Sequence, residues 1–270
     1  MDRYGSTFKS LPDVDRHYRH NGSHRVTRAE STCTSNGHSS PPEYEVNETE
    51  EILFALAQAV EQRDNQTAGH CERLALISVS LGYAMGLEIG CLLALYRGGY
   101  LHDVGKVGIP DSILFKPGRL TASEWVVMRS HAVRGEEICR HLKSLAPVLP
   151  IIRHHHERWD GSGYPDGLAG EQISLLARIL QVADIYDALI SPRPYKRAYT
   201  PKEALALMQE ETERGWRDPE IVKLFFKLHP DVISKIGAYS ASNDRSLLAM
   251  RSSVAGLERF LGFAQPSPVV

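Results

Sequence analysis

Five helices expected from the hydrophobic periodicity of this 270-residue chain turn histidine or aspartate toward their apolar faces. His70 shares a face with Leu74, Ile77 and Leu81. Leu92, Leu95, Gly99, His102 and Asp103 lie on or next to one face, and Met128, His131, Gly135 and Ile138 do the same. Ile151 stacks under His155 and Ile152 under His156 at four-residue spacing; Leu176, Leu180, Asp184 and Asp187 share a stripe inside the run ARILQVADIYDAL. A single inward histidine is usually a satisfied core group, and a single inward aspartate is usually a cap or half of an ion pair. Five helices doing this together, with few basic residues placed to pair, need another account. An isolated buried carboxylate costs about several kcal/mol and protonates. Asp103 and Asp184 can both stay ionised if a dication sits between them. Imidazole and carboxylate without thiolate form a ligand set for iron, manganese, nickel or zinc. The seven groups His70, His102, Asp103, His131, His155, His156 and Asp184 exceed the needs of a three-ligand catalytic zinc. They suit two metals with positions left open for water and substrate.

The rest of the chain is organised around that bundle. Residues 1–46 are rich in Ser, Thr, Gly, Asn and Arg without apolar period, and read as a disordered polar tail. Residues 47–230 are expected to form one domain carrying these groups, all-α with no confident strand and no internal repeat. Expected helices cover about 70–85, 87–104, 121–142, 146–157, 173–190, 202–214 and 219–228, with Gly- and Pro-punctuated loops at 105–120 and 158–172. Residues 231–270 are a C-terminal extension in which Leu247, Met250, Val254, Leu257 and Leu261 repeat at helical spacing, to dock on the domain or to form a homodimer contact.

Charge and length exclude several classes. Lys and Arg total 31 against 33 Asp and Glu, a balance that does not hold a chain to a nucleic acid polymer or a membrane by bulk charge. The longest apolar runs, Ile52 to Val60 and Cys91 to Tyr96, are too short to span a bilayer, and MDRYGSTFKS has no signal-peptide core. Cysteines 33, 71, 91 and 139 form no close pair, so neither a zinc ribbon nor a disulfide framework is expected and the cytoplasm is the expected compartment.

Two loops indicate a substrate. After His102-Asp103, Gly105 is expected to let the backbone turn while Lys106 offers a point charge beside the metals. Arg193 and Lys196 add cations after the Asp184 helix, although a solvated loop reads equally well there. Metals with convergent cations suit a phosphate ester, whose hydrolysis depends on positioning and charge stabilisation.

With His70 upstream and Asp184 downstream, His102-Asp103 resembles the HD superfamily of metal-dependent phosphohydrolases. HDVGK (102–106), HHERWDGSGYP (155–165) and RILQVADIYDAL (178–189), in that order, resemble more narrowly the HD-GYP domain, the bacterial phosphodiesterase that degrades cyclic di-GMP. The likeness runs from about Glu51 to Leu228. It implies that the seven groups are the metal ligands, with Asp103 bridging two ions, iron or manganese. The nucleophile would be a hydroxide shared by those ions, with pGpG as first product and GMP as the product of a second cut. It implies that Lys106 contacts the scissile phosphate, that Arg193 and Lys196 hold the guanine base and phosphate, and that Asp64 touches the base. Gly163, Tyr164 and Pro165 would shape the site and meet signalling partners; the plain reading of that tripeptide is a turn. Some members carry Glu four residues before the first ligand histidine and hold a third metal; Gln66 stands there, so two metals are expected. His141, His154 and His229 are expected at the surface or behind the ligands. Other readings stay open: a hydrolase acting on another cyclic dinucleotide, and a catalytically weak receptor or interaction module for cyclic di-GMP.

Overall fold

A computed structural model describes residues 48–63, 69–192 and 197–242. They fold into α1 (Glu48–Arg63), α2 (His70–Ala84), α3 (Ile89–Leu101), α4 (Asp111–Leu114), α5 (Ala122–Arg129), α6 (His131–Cys139), α7 (Leu149–His154), α8 (Leu175–Ile190), α9 (Pro201–Glu213) and α10 (Pro219–Ser242). Short 3-10 turns occupy Val104–Gly108, Lys143–Val148 and Gly170–Gln172. The expected all-α fold holds, with no strand among the described residues. None of their helices is long and apolar enough to cross a membrane.

The antiparallel pair α2 and α3 is the centre of the bundle. Leu74, Ile77 and Leu81 of α2 meet Leu92, Leu95 and Leu101 of α3, all buried. Gly99 makes that approach close: a Cβ there would lie 2.5 Å from the Ala75 Cα. The absent side chain lets the two backbones touch and so brings His70 next to His102. Against this pair pack α8, through Ile179, Val182 and Ala183, and α10, through Ile221, Val222 and Phe225. A small second cluster of Ile109, Leu114 and Met128 sits under α4 and α5.

Several boundaries differ from expectation. The helix expected over 121–142 breaks at Ser130, whose hydroxyl donates to the Val127 carbonyl at 2.6 Å and accepts from Arg134, pulling the chain off the regular ladder. Its start is as expected, a reciprocal cap between Thr121 and Glu124. The helix expected over 146–157 is a 3-10 turn followed by α7, because Pro147 and Pro150 each remove an N–H donor. The loop expected at 105–120 contains the 104–108 turn and α4. In the other direction, α10 runs on past residue 228 and carries Pro230 within it; Val232 and Ile236, assigned to a separate extension, are buried in the same core. Cys71 and Cys139 are buried free thiols. The polar tail 1–46 and the stripe Leu247 to Leu261 also lie outside the described residues.

Candidate metal centre

The seven inward groups meet in one place. Ligand atoms of Asp103, His131, His155 and His156 lie within 4.8 Å of one another, and those of His70, His102 and Asp184 form a second such group. All but Asp184 come from the end of an element. His70 opens α2, His102 and Asp103 stand where α3 passes into the 3-10 turn, His131 opens α6, His155 and His156 follow α7, and Asp184 lies midway along α8.

Gly105 builds the junction, though not by turning the chain. Its backbone is not left-handed; a Cβ there would run into the His131 carbonyl oxygen. The turn at 104–108 therefore packs directly on α6. That contact sets Asp103 Oδ1 3.3 Å from His131 Nε2, while Oδ2 lies 3.3 Å from His102 Nε2 and 2.8 Å from Lys106 Nζ. One carboxylate thus presents an oxygen to each group.

Ring orientation decides what these histidines can do. Nδ1 of His102 lies 3.0 Å from the Gly99 carbonyl, that of His131 2.8 Å from Met128, and that of His155 2.8 Å from Ile152. A carbonyl only accepts, so each Nδ1 carries the proton and each Nε2 turns a lone pair inward. Nε2 of His131 and Nε2 of His155 then face each other at 3.4 Å, lone pair to lone pair. Three further inward atoms, His70 Nε2, His102 Nε2 and Asp103 Oδ1, are buried without a hydrogen-bond partner. Such orphans are rare in native interiors, and so many converging acceptors demand something positive between them. The residues present therefore fit a pair of divalent cations.

Charge states agree for three of these rings, His131, His155 and His156. Burial pushes His155 and His156 well below the ordinary imidazole value, and neighbouring imidazoles add to the effect; burial lowers His131 as well. Neutral rings are the ligating form. Burial also acts on His102, but Asp103 outweighs it and raises that ring. Burial opposes ionisation of Asp103, yet Lys106 and His102 hold its carboxyl well below the usual range.

The loop after α7 packs beside the site. Tyr164 stacks on His156 with ring centres 4.7 Å apart and planes at 26°, and the Arg129 guanidinium lies 5.1 Å from the Tyr164 ring centre. Glu157 is fully buried and its Oε1 accepts from the Asp166 and Gly167 N–H groups at 2.7 and 3.0 Å. Gly163 lies against the Glu157 backbone with no room for a side chain, and Tyr164–Pro165 is cis. The tripeptide is thus more than a plain turn: its Tyr164 is packed on His156, one of the inward rings.

Asp64, Gln66, Arg193 and Lys196 lie outside the described residues. Of the remaining histidines, His141 is exposed and His154 meets Asp166 at 2.9 Å. His229 departs from expectation: it is buried, 2.6 Å from the Tyr186 hydroxyl, where α10 covers α8. Sequence reasoning placed Asp187 on the inward face without a role and missed Arg73, Glu157 and the Arg153–Asp166 pair. The spacing of Asp187 one turn after Asp184, and of Arg73 one turn after His70, was the available signal.

Comparison with known proteins gives the family and the fold. The family model described as HD domain matches residues 55–221. The cyclic di-GMP phosphodiesterase response regulator RpfG of Xanthomonas campestris is 40% identical over 204 residues, covering 74% of this chain and 54% of that protein. The 3'3'-cGAMP-specific phosphodiesterase 2 of Vibrio cholerae is 39% identical over 181 residues, covering 66% of this chain and 34% of that protein. This chain thus spans about half the length, or less, of these relatives. A crystal structure of a cyclic GMP-AMP-specific phosphodiesterase of V. cholerae superposes with a TM-score of 0.55 at 21% identity, over 80% of this chain and 60% of that one, and shares the fold.

Proposed function

Because the chain belongs to the HD-domain family, we propose that it is a metal-dependent phosphodiesterase that hydrolyses cyclic di-GMP to linear pGpG. The observation that carries the reading is the set of inward lone pairs, above all His131 Nε2 facing His155 Nε2 at 3.4 Å. Two ions would be held, one by His70, His102 and Asp184, the other by His131, His155 and His156, with Asp103 reaching both. Iron or manganese suits this thiolate-free set. Bound there, the ions supply an activated water at neutral pH and neutralise phosphoryl charge.

The chain's own residues do the rest. Asp103 fixes the spacing of the two groups through its two oxygens. Lys106, buried and 2.8 Å from Asp103 Oδ2, stands ready to contact a phosphoryl oxygen. Asp64, Arg193 and Lys196 would hold base and phosphate. The Gly163–Pro165 loop would meet signalling proteins, the C-terminal stripe would pair two copies, and the cytoplasm is the compartment proposed.

Asp103→Ala tests this: bound metal and cyclic di-GMP turnover should fall together, and turnover retained without metal would refute it. The similarity to the V. cholerae 3'3'-cGAMP-specific enzyme favours a second reading, in which a mixed cyclic dinucleotide is the better substrate. A panel of cyclic di-GMP, 3'3'-cGAMP and cyclic di-AMP separates the two. A catalytically weak receptor is the less favoured reading, because the ligand set is complete.

A further inference from the structure

The ligand rings are not all oriented alike. His102, His131 and His155 each turn Nδ1 to a carbonyl three residues back in their own chain segment. His70 instead meets a carboxylate 117 residues away: its Nδ1 lies 2.7 Å from Asp187 Oδ2. Asp187 is fully buried and is itself clamped. Arg73 donates from Nε to Oδ1 at 2.7 Å and from Nη2 to Oδ2 at 3.0 Å, a two-point fork. The Ser191 hydroxyl lies 3.3 Å from Oδ2 and 3.3 Å from Arg73 Nη2. The same helix, α8, also presents Asp184, with Oδ1 3.8 Å from His70 Nε2. One turn of α8 therefore sets a carboxylate at each nitrogen of one imidazole.

We propose that Asp187, clamped by Arg73, is a positioning residue that locks His70 with Nε2 toward the cation position it shares with His102 and Asp184. The affinity of that position, and not of the neighbouring one, depends on it. An anionic acceptor fixes the tautomer and makes the opposite nitrogen a stronger donor to metal; loss of such a partner typically costs about 10- to 100-fold in affinity. The carbonyl-oriented rings have no such lever. This inference rests on the two-cation reading above.

The test is calorimetric titration of Mn²⁺ into the metal-free full-length chain. The unchanged protein should take two ions. Asp187→Asn keeps the shape but removes the charge, and lets an amide N–H face Nδ1; it should weaken one binding event by about 10- to 100-fold and leave the other alone. In a His70→Ala background, the same change should have no further effect, whereas a merely structural role would subtract again. Should Asp187→Asn fail to fold, Arg73→Lys keeps the charge and loses the fork, and should give a smaller loss at that same event. Equal weakening of both events, or no weakening, overturns the proposal while leaving the two-cation reading intact. An unchanged protein that takes no ion overturns both.

Discussion

The metal pocket and the loop that follows α7 share a boundary at His156 and Glu157, yet they handle polar groups in opposite ways. Between the loop and the helices it packs on, charged groups answer one another. Arg153 forks onto Asp166 at 2.7 and 2.8 Å and reaches Glu136 at 2.5 Å, His154 meets Asp166 at 2.9 Å, and Glu157 takes two backbone N–H groups. In the pocket, acceptors converge on acceptors, and His70, His102 and Asp103 leave inward atoms unpartnered. The loop is nearly self-sufficient, with Glu157 Oε2 as its one buried orphan among the described residues. The pocket makes sense only with a guest. Stability resides in the first arrangement and capacity for chemistry in the second.

Substitutions should separate the two. The largest effect on function should come from the pocket: His155→Gln should lower turnover by more than about 100-fold. Its unfolding midpoint should move by no more than about 3 °C, because only one hydrogen bond, to the Ile152 carbonyl, is lost. Paired turnover and thermal melts check this, and a pocket variant that melts early with its activity kept would erase the contrast. Arg153→Ala should do the reverse, costing about 1–2 kcal/mol in chemical denaturation by breaking a partly exposed network, with a smaller loss of turnover.

Acid sharpens the comparison. Hydrogen bonds from Arg153 outweigh desolvation, and with His154 pull Asp166 from its ordinary 3.8 to about 2. A depressed carboxyl stabilises the fold above its unfolded value and loses that contribution as pH falls from about 3.8 through about 2. Asp166→Asn should therefore flatten the stability curve in that window and leave it parallel to the parent's above pH about 5. An unchanged acid limb would mean that the loop is not where that stability resides. The smallest effect is expected at Tyr164, between His156 and Arg129. Tyr164→Ala should cost about 1 kcal/mol of stability, read by denaturant titration.

How much of this the sequence reveals follows from what periodicity can see. His70, His131 and His155 were legible because each sits at helical spacing from buried Leu, Ile or Gly. The helices around them were legible for the same reason. Asp187 was visible as an inward residue, but its partners were not: Arg73 lies 114 residues away in the chain, and no local pattern joins them. Gly105 looked like a turn because glycine usually supplies one; its actual task, a close backbone approach to His131, is a tertiary fact. The splits at Ser130 and at Pro147 came from single side chains overriding a periodic pattern, and α10 outran its expected end because Val232 and Ile236 find the core. His229 was misplaced because one histidine beside a proline carries no pattern at all.

The central claim is that the pocket holds a pair of cations. Metal content per chain, measured on protein purified without air, tests it most directly. The account predicts about two ions per folded chain, one for each ligand group, lost on chelation together with cyclic di-GMP turnover. A well-folded chain that hydrolyses the dinucleotide with no ion bound, or that never binds one, would contradict it.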